Sequence, residues 1–373
     1  MKTDWLIVGA GFTGCTFAER IASQLNQRVL LVERRPHIGG NAYDYFTARG
    51  ILIHRYGPHL FHTNSQKVWD YLSRFTKWAE YQHHVLAEIN SKRVPIPFNF
   101  NTIDALFSPA DAARLQSLLV DRFGIESKIP ILKLREAADK ELCGLADFIY
   151  ENVFANYTFK QWGLTPEQLD PSVTGRVPVL VGRDDRYFQD KYQGMPVGGY
   201  SALFARMLAH PNIQVLLQTD YKDVLEELQC KRIVYTGPAD AFFDFMHGEL
   251  PYRSLRFDLV DHEVPYLLET ATVNFPNTHD YTRITDQKYF SNPAIPSTTV
   301  IVEYPQAYQR GVNEAYYPIP RPENAELFDR YEREIAKLKG SVIFAGRLAD
   351  YKYYNMDQAV ARALHLFEEH ARS

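Results

Sequence analysis

Apolar positions define the start of the chain. WLIV, at residues 5–8, is a continuous apolar run too short for a helix, and it predicts a strand covered on both faces. Gly9, Gly11 and Gly14 follow. From Phe12 to Leu25 apolar side chains recur at helical spacing, and RVLLVE then predicts a second buried strand ending at Glu33. The unit is strand, glycine turn, helix, strand.

The pattern changes further on. Residues 104–150 are helical in period without strand breaks, and they predict a helical module inserted into the α/β domain. Short apolar segments such as TATVNF and TTVIVEY, broken by Pro, Asn and Gly, predict an antiparallel sheet between about 177 and 316. IQVLLQT and KRIVYTGPAD read as a return to the first domain. GSVIFAG and the long helical pattern after it close the chain with a second strand, glycine turn and helix. The expected fold class is α/β: an FAD-binding Rossmann-like domain with an inserted helical bundle and an antiparallel β-sheet domain. The expected boundaries are 1–76 with 193–240 and 318–373 for the nucleotide domain, and 101–176 for the helical domain, with a mobile loop near its end. Residues 77–100, 177–192 and 241–317 form the sheet domain.

The glycines carry the first chemistry. In Gly-x-Gly-x-x-Gly the first makes the turn, the second lets a pyrophosphate approach the backbone, and the third lets helix pack on strand. Glu33 lies about 20 residues on, where an acid binds a ribose hydroxyl. A second pair, Gly39-Gly40 in ERRPHIGGNAY, points to further backbone pressed against an extended cofactor, as in FAD proteins. An ordinary Gly-Gly turn is the alternative.

Composition narrows the classes. The 373 residues carry a net charge of −4 with no Lys/Arg run, so nucleic-acid binding has no electrostatic support. The three cysteines are far apart and form no CxxC, as expected of reduced thiols. No signal-peptide pattern or membrane-spanning apolar run is seen, so a cytoplasmic protein with no membrane partner is expected. Tyrosine is abundant, at 24 residues, and offers a flat face with one polar handle.

Conventional catalytic arrangements are hard to assemble. There is no G-x-S-x-G, no cysteine beside a histidine, and no announced carboxylate pair. His54, His59, His62, His83 and His84 could be weighed as metal ligands, but Gly57-Pro58 argues against a helix there. No metal is expected. What remains is a set of arginines and aromatics: ENVFANYTFKQW, Arg176, Tyr187, Arg283, and the tyrosines of EAYYPIP and DYKYYNMD. Together they suit an anionic, ring-bearing ligand. Within VTGRVPVLVGRDDRYF, Arg183 and Arg186 read as solvated partners of Asp184 and Asp185.

Over nearly its whole length the sequence resembles the bacterial-type UDP-galactopyranose mutases. The resemblance rests on ERRPHIGGNAYDY, IHRYGPHLFHT, VPIPFNFNT, YTFKQWG, YFQDKYQGMPVGGY, RIVYTGP, TRIT, EAYYPI and FAGRLADYKYYNMD. It implies reduced FAD, a homodimer, and a reaction without net redox. In that family flavin N5 attacks the sugar anomeric carbon, UDP leaves, and the ring recloses as a furanose. The nucleophile belongs to the cofactor, which accounts for the missing acid–base machinery.

The resemblance also implies roles. Arg176 is the mobile-loop arginine that closes over the pyrophosphate, and Arg283 the second phosphate arginine. Tyr187, Tyr316 and Tyr353 bind phosphate, with the choice between Tyr316 and its neighbour Tyr317 left open. Tyr157, with neighbouring Phe154, forms the uracil platform; Thr158 and Trp162, the tryptophan of the mobile-loop region, are further substrate-binding positions. His62, His83 and Asn274 face the sugar, with His62 counted among the catalytic residues. Cofactor positions are Gly9, Gly11, Phe12, Thr13, Gly14, Glu33, Arg34, Gly40, Asn41 and His59. Gly346, Arg347, Tyr353, Asn355 and Met356 add the second glycine turn and its helix. Three places depart from the family. Asn355 stands where Asp is frequent, His83 where Asn is common, and the segment between Asn274 and Arg283 is one residue shorter. These keep open another nucleotide sugar, such as a dTDP-6-deoxysugar. A conventional flavin oxidoreductase and a non-enzymatic relative of GDP-dissociation inhibitors are the competing classes. The arginines disfavour an amine substrate, and bound flavin would dismiss the non-enzyme.

Overall fold

The strand Trp5–Val8 lies at the centre of a five-stranded parallel sheet. The order is Ile213–Leu216, Val29–Val32, Trp5–Val8, Arg232–Tyr235, Val342–Phe344. Side-chain alternation assigns its two faces. Trp5, Ile7, Val29 and Leu31 enter one core, with Phe17 and Ile21 of helix Phe12–Leu25 and Val360 and Leu364 of helix Met356–Leu366. Leu6, Leu30 and Val32 enter a second core, with Phe328 and Tyr331 of helix Pro322–Lys337. Burial on both faces is why these strands read as unbroken apolar runs. The third glycine of the turn is fixed by packing: a Cβ on Gly14 would lie 1.9 Å from the Gly9 carbonyl oxygen. The structure, a computed structural model, describes residues 2–175, 177–291 and 294–371, without the side chains of Ser172 and Ala371.

The large sheet has seven strands, in the order Tyr317–Pro318, Tyr252–His262, Thr298–Ala307, Arg283–Asp286, Thr272–Asn274, Val85–Ile89, Lys92–Ile96. It is antiparallel as expected except at one pair: Thr272–Asn274 runs parallel to Val85–Ile89. Those two strands come from distant parts of the chain, so no hairpin dictates their relative direction. Residues 78–80 were expected in this sheet. They join instead Phe61–Thr63 and Tyr192–Pro196 in a three-stranded sheet over the first core. Stacking of Trp78 on Phe61 (4.8 Å) and on Trp69 (4.5 Å) holds it there.

The helical module is Phe100–Leu106, Pro109–Phe123, Ile131–Arg135, Lys140–Ile149 and Asn156–Trp162, and so extends past the 104–150 stretch. Asn99, Ser108 and Asp139 cap three of these helices with side-chain oxygens. Leu119, Ile131, Leu142 and Ile149 fill its core. A π-helical turn, Tyr150–Ala155, precedes the last helix and sets the direction of Tyr157 and Trp162. Among the described residues no helix is long and apolar enough to cross a membrane.

Candidate active site

A cavity and a neighbouring side-chain cluster meet at Arg347. The first is a cavity of about 890 Å³ at the carboxyl end of the parallel sheet, lined by Gly9, Gly11, Phe12, Thr13, Glu33, Arg34, Gly40, Asn41, His59, Gly346, Arg347, Asn355 and Met356. Helix Phe12–Leu25 opens here with Gly11 as N-cap. No side chain caps it and no acid sits in its first turn. Its leading N–H groups are therefore suited to phosphate oxygens. A Cβ on Gly40 would come within 3.0 Å of the Gly11 Cα, so the two backbone segments approach closely at Gly40. The Glu33 carboxylate is fixed by the N–H groups of Ala10 and Arg35, each at 2.9 Å, as an acceptor for a ribose hydroxyl. These features fit a dinucleotide such as FAD. Gly14 and Tyr353 do not line the cavity: Gly14 packs beneath the turn, and Tyr353 belongs to the neighbouring cluster. Asn355 also caps helix Met356–Leu366, in a capping box with Gln358. Glu314, which sequence reasoning missed, holds both Arg34 (2.6 Å) and Arg35 (2.8 Å) at the rim.

The second region is built by strand register. Across the large sheet Asn274 pairs with Arg283, and Arg283 with Glu303. Arg283 Nη2 lies 2.9 Å from Glu303 Oε1, and the Glu303 side chain is 2% exposed. Arg283 Nε, Glu303 Oε2 and Asn274 Oδ1 are buried without a hydrogen-bond partner among the described residues. Burial opposes the Arg283 charge, but Glu303 and the nearby Tyr157 and Tyr317 hold the guanidinium well above its ordinary pKa. Burial raises the phenols of Tyr157 and Tyr317, so both stay neutral donors.

Aromatic rings line this arginine. Tyr317 lies 4.9 Å from Tyr353, and Trp162 lies 6.0 Å from Tyr317 and 5.7 Å from Tyr353. The Arg347 guanidinium stands over the rings of Tyr317 (5.4 Å) and Tyr353 (5.5 Å). His59, also on the first cavity, is pushed down to about 4 by burial and by Arg347 and Arg283. Of the two adjacent tyrosines left open for phosphate, Tyr316 packs against Tyr56 and Phe257. Tyr317 lies beside Tyr353 and Trp162 instead, because neighbouring side chains in extended backbone face opposite ways.

His62, His83 and Tyr187 gather on a third side. The His62 ring stacks on Phe188 at 3.6 Å, and its Nδ1 meets Asp190 Oδ2 at 2.8 Å. His83 is fully buried and pushed down to about 3, first by burial and then by Arg283 and the histidines His84 and His62. Tyr187 meets the His83 ring edge-on at 5.7 Å, and its N–H donates to the His83 carbonyl. Phe154 sits in the helical core and Thr158 is buried. Arg176 lies outside the described residues. Arg186 pairs with Asp184 as expected, but Arg183 pairs with Asp104, and Asp185 is held by Asn99 and Asn101. Arg183 turns to the helical module because Asn101 and Asp104 both present oxygens there. Glu303 and Asp190 were missed. An acid inside the apolar TTVIVEY was the one sequence signal for Glu303.

A Rossmann-like sheet with a cavity suited to a dinucleotide, joined through Arg347 to a cluster of arginine and tyrosine side chains, is an α/β fold of the flavoprotein type. Residues 152–353 match the UDP-galactopyranose mutase family, and residues 7–75 match the NAD(P)-binding Rossmann-like domain. The chain is 35% identical to the UDP-galactopyranose mutase of Mycoplasma genitalium, over 96% of this chain and 92% of that one. It is 30% identical to a dTDP-fucopyranose mutase of Escherichia coli, over 96% of each. The crystal structure of a reduced UDP-galactopyranose mutase superposes with a TM-score of 0.71 at 14% identity, over 100% of this chain and 95% of that one. The chain belongs to the UDP-galactopyranose mutase family and is an isomerase; membership implies a flavin cofactor.

Proposed function

We propose that the protein interconverts UDP-galactopyranose and UDP-galactofuranose with reduced FAD, as a cytoplasmic homodimer. The observation that carries this reading is Arg283, charged and paired with Glu303, among Tyr157, Tyr317, Tyr353 and Trp162, with Arg347 joining it to the cofactor cavity. Gly9, Gly11, Glu33, Gly40, Gly346 and Arg347 would hold the dinucleotide. Reduced flavin, when bound, supplies the nucleophile toward the anomeric carbon, with no net redox.

The chain's own residues do the rest. Tyr157 and Trp162 hold the uracil. Arg283, with Arg176, binds the pyrophosphate. As the anomeric C–O bond breaks, negative charge grows on the departing UDP, and a fixed guanidinium is worth more there than in the ground state. His83 is neutral at pH 7, so it offers hydrogen bonds to sugar hydroxyls without competing for the phosphate charge. Asp190 accepts at His62 Nδ1, which leaves Nε2 for a sugar hydroxyl.

Dithionite-reduced enzyme should convert UDP-galactofuranose to UDP-galactopyranose without consuming reductant. Absence of interconversion by chromatography, with bound flavin confirmed by its absorbance, would rule out this substrate. A dTDP-6-deoxysugar is the second reading. It is favoured by the 30% identity to a dTDP-fucopyranose mutase and by His83 beside the sugar position. The same assay with both nucleotide sugars decides between them.

A further inference from the structure

Lys160 lies on helix Asn156–Trp162, between the proposed uracil residues Tyr157 and Trp162. Its ammonium is half-buried and makes no ion pair among the described residues. Instead it donates to three carbonyls: Phe275 at 2.5 Å, His279 at 2.8 Å and Tyr281 at 3.2 Å. All three belong to the hairpin loop between Asn274 and Arg283. An ammonium has three donors, and here one loop takes all of them. A second contact joins the same two elements: Asn277 accepts from Asn156 Nδ2 and donates to the Asn152 carbonyl, each at 3.0 Å.

We propose that Lys160 is a positioning residue that locks the uracil-binding helix to the hairpin bearing Arg283, so that base and pyrophosphate are gripped at one fixed separation. The inference rests on the nucleotide-sugar reading above. The physical reason is preorganisation. A ligand that touches two elements gains from both only if their spacing is already set. Each element alone can still hold its own half of the ligand. Loss of the lock therefore weakens a ligand spanning both elements and spares one that reaches only the helix. General damage to the helix would weaken both equally.

The test measures UDP and uridine affinities of the FAD-loaded enzyme by calorimetry, for wild type, Lys160→Met and Asn277→Ala. Methionine keeps the apolar stem and removes the three donors. In Lys160→Met, UDP affinity is expected to fall at least tenfold while uridine affinity stays within about twofold, and Asn277→Ala should shift in the same selective direction. Flavin content reports that each variant is folded. Equal losses for both ligands, or no loss for UDP in folded Lys160→Met, would overturn the proposal. Wild type that binds UDP but no uridine would also overturn it, since the helix would have no grip of its own to align. Wild type that binds neither removes the nucleotide-sugar reading itself, and the inference with it.

Discussion

Arg283 and Glu303 face each other across neighbouring strands, 2.9 Å apart, with the glutamate almost wholly buried. The pair is locked in place by register: each residue is the other's direct cross-strand partner. Glu303 holds the guanidinium charged and oriented, while Arg283 Nε has no protein partner among the described residues. Removing one member of such a pair strands the other, at a cost of about 3–5 kcal/mol. Glu303→Ala should therefore lower unfolding stability by roughly that amount in urea titrations. Arg283→Lys keeps the charge and loses the planar fork. It should lose about 10²–10³ in turnover while flavin absorbance is unchanged. Near-normal turnover in Arg283→Lys would remove Arg283 from the anion site.

Two glycines of the same turn should fail differently. A Cβ on Gly14 would collide with the Gly9 carbonyl at 1.9 Å, whereas on Gly11 its nearest neighbour is the Gly40 Cα at 3.9 Å. Gly14→Ala should give protein that melts at lower temperature or fails to accumulate. Gly11→Ala should fold with near-normal stability in the absence of cofactor, yet retain little flavin, because its methyl group occupies the pyrophosphate path. Equal flavin content in Gly11→Ala and wild type would argue against phosphate at this turn.

Much of the nucleotide domain was legible because its signals are local. WLIV, the glycine spacing and the helical period of the next helix need no knowledge of distant residues. The proposed anion site was not legible this way. Asn274, Arg283 and Glu303 form a row only through strand register, and residues 85–89 pair in parallel with 272–274 only in the folded chain. Tyr316 and Tyr317 differ by one residue, and which way the segment faces is fixed by pairing of Arg253 with Tyr317. The family resemblance supplied Tyr157, Trp162 and Arg347 without geometry. It offered nothing for Glu303, Asp190 or Lys160, whose partners lie far along the sequence.

The arginines of residues 173–188 should separate cleanly. Arg183 makes an exposed pair with Asp104, and Arg186 a half-exposed one with Asp184. Pairs of this kind contribute about 0–1 kcal/mol. Arg183→Ala should leave turnover unchanged. Arg176→Ala should nearly abolish it with flavin still bound, because that residue is proposed to close on the pyrophosphate. Steady-state kinetics on the two variants, with flavin content as control, checks both. A loss in Arg183→Ala comparable with that in Arg176→Ala would redraw the site.

Histidines held neutral by burial should make the fold acid-sensitive. His54 and His83 are each pushed down to about 3, chiefly by burial, with His59 adding to the effect on His54 and Arg283 to that on His83. His54 Nδ1 accepts the His59 N–H, and its Nε2 has no partner among the described residues, so the folded state holds the ring neutral. An unfolded histidine titrates near about 6.5. Between about 6.5 and 3 the unfolded chain takes up protons that the folded chain refuses, so stability falls as pH falls. The contribution is complete above about 6.5 and is lost progressively below it. Each histidine should remove about 2 kcal/mol between pH 7 and about pH 5. Urea unfolding at the two pH values measures the sum, to which His59, pushed down to about 4, adds a similar share. His83→Asn keeps a polar side chain and removes the titration, so the acid-induced loss should shrink by about 2 kcal/mol. An undiminished loss in that variant would show that other groups drive the acid sensitivity.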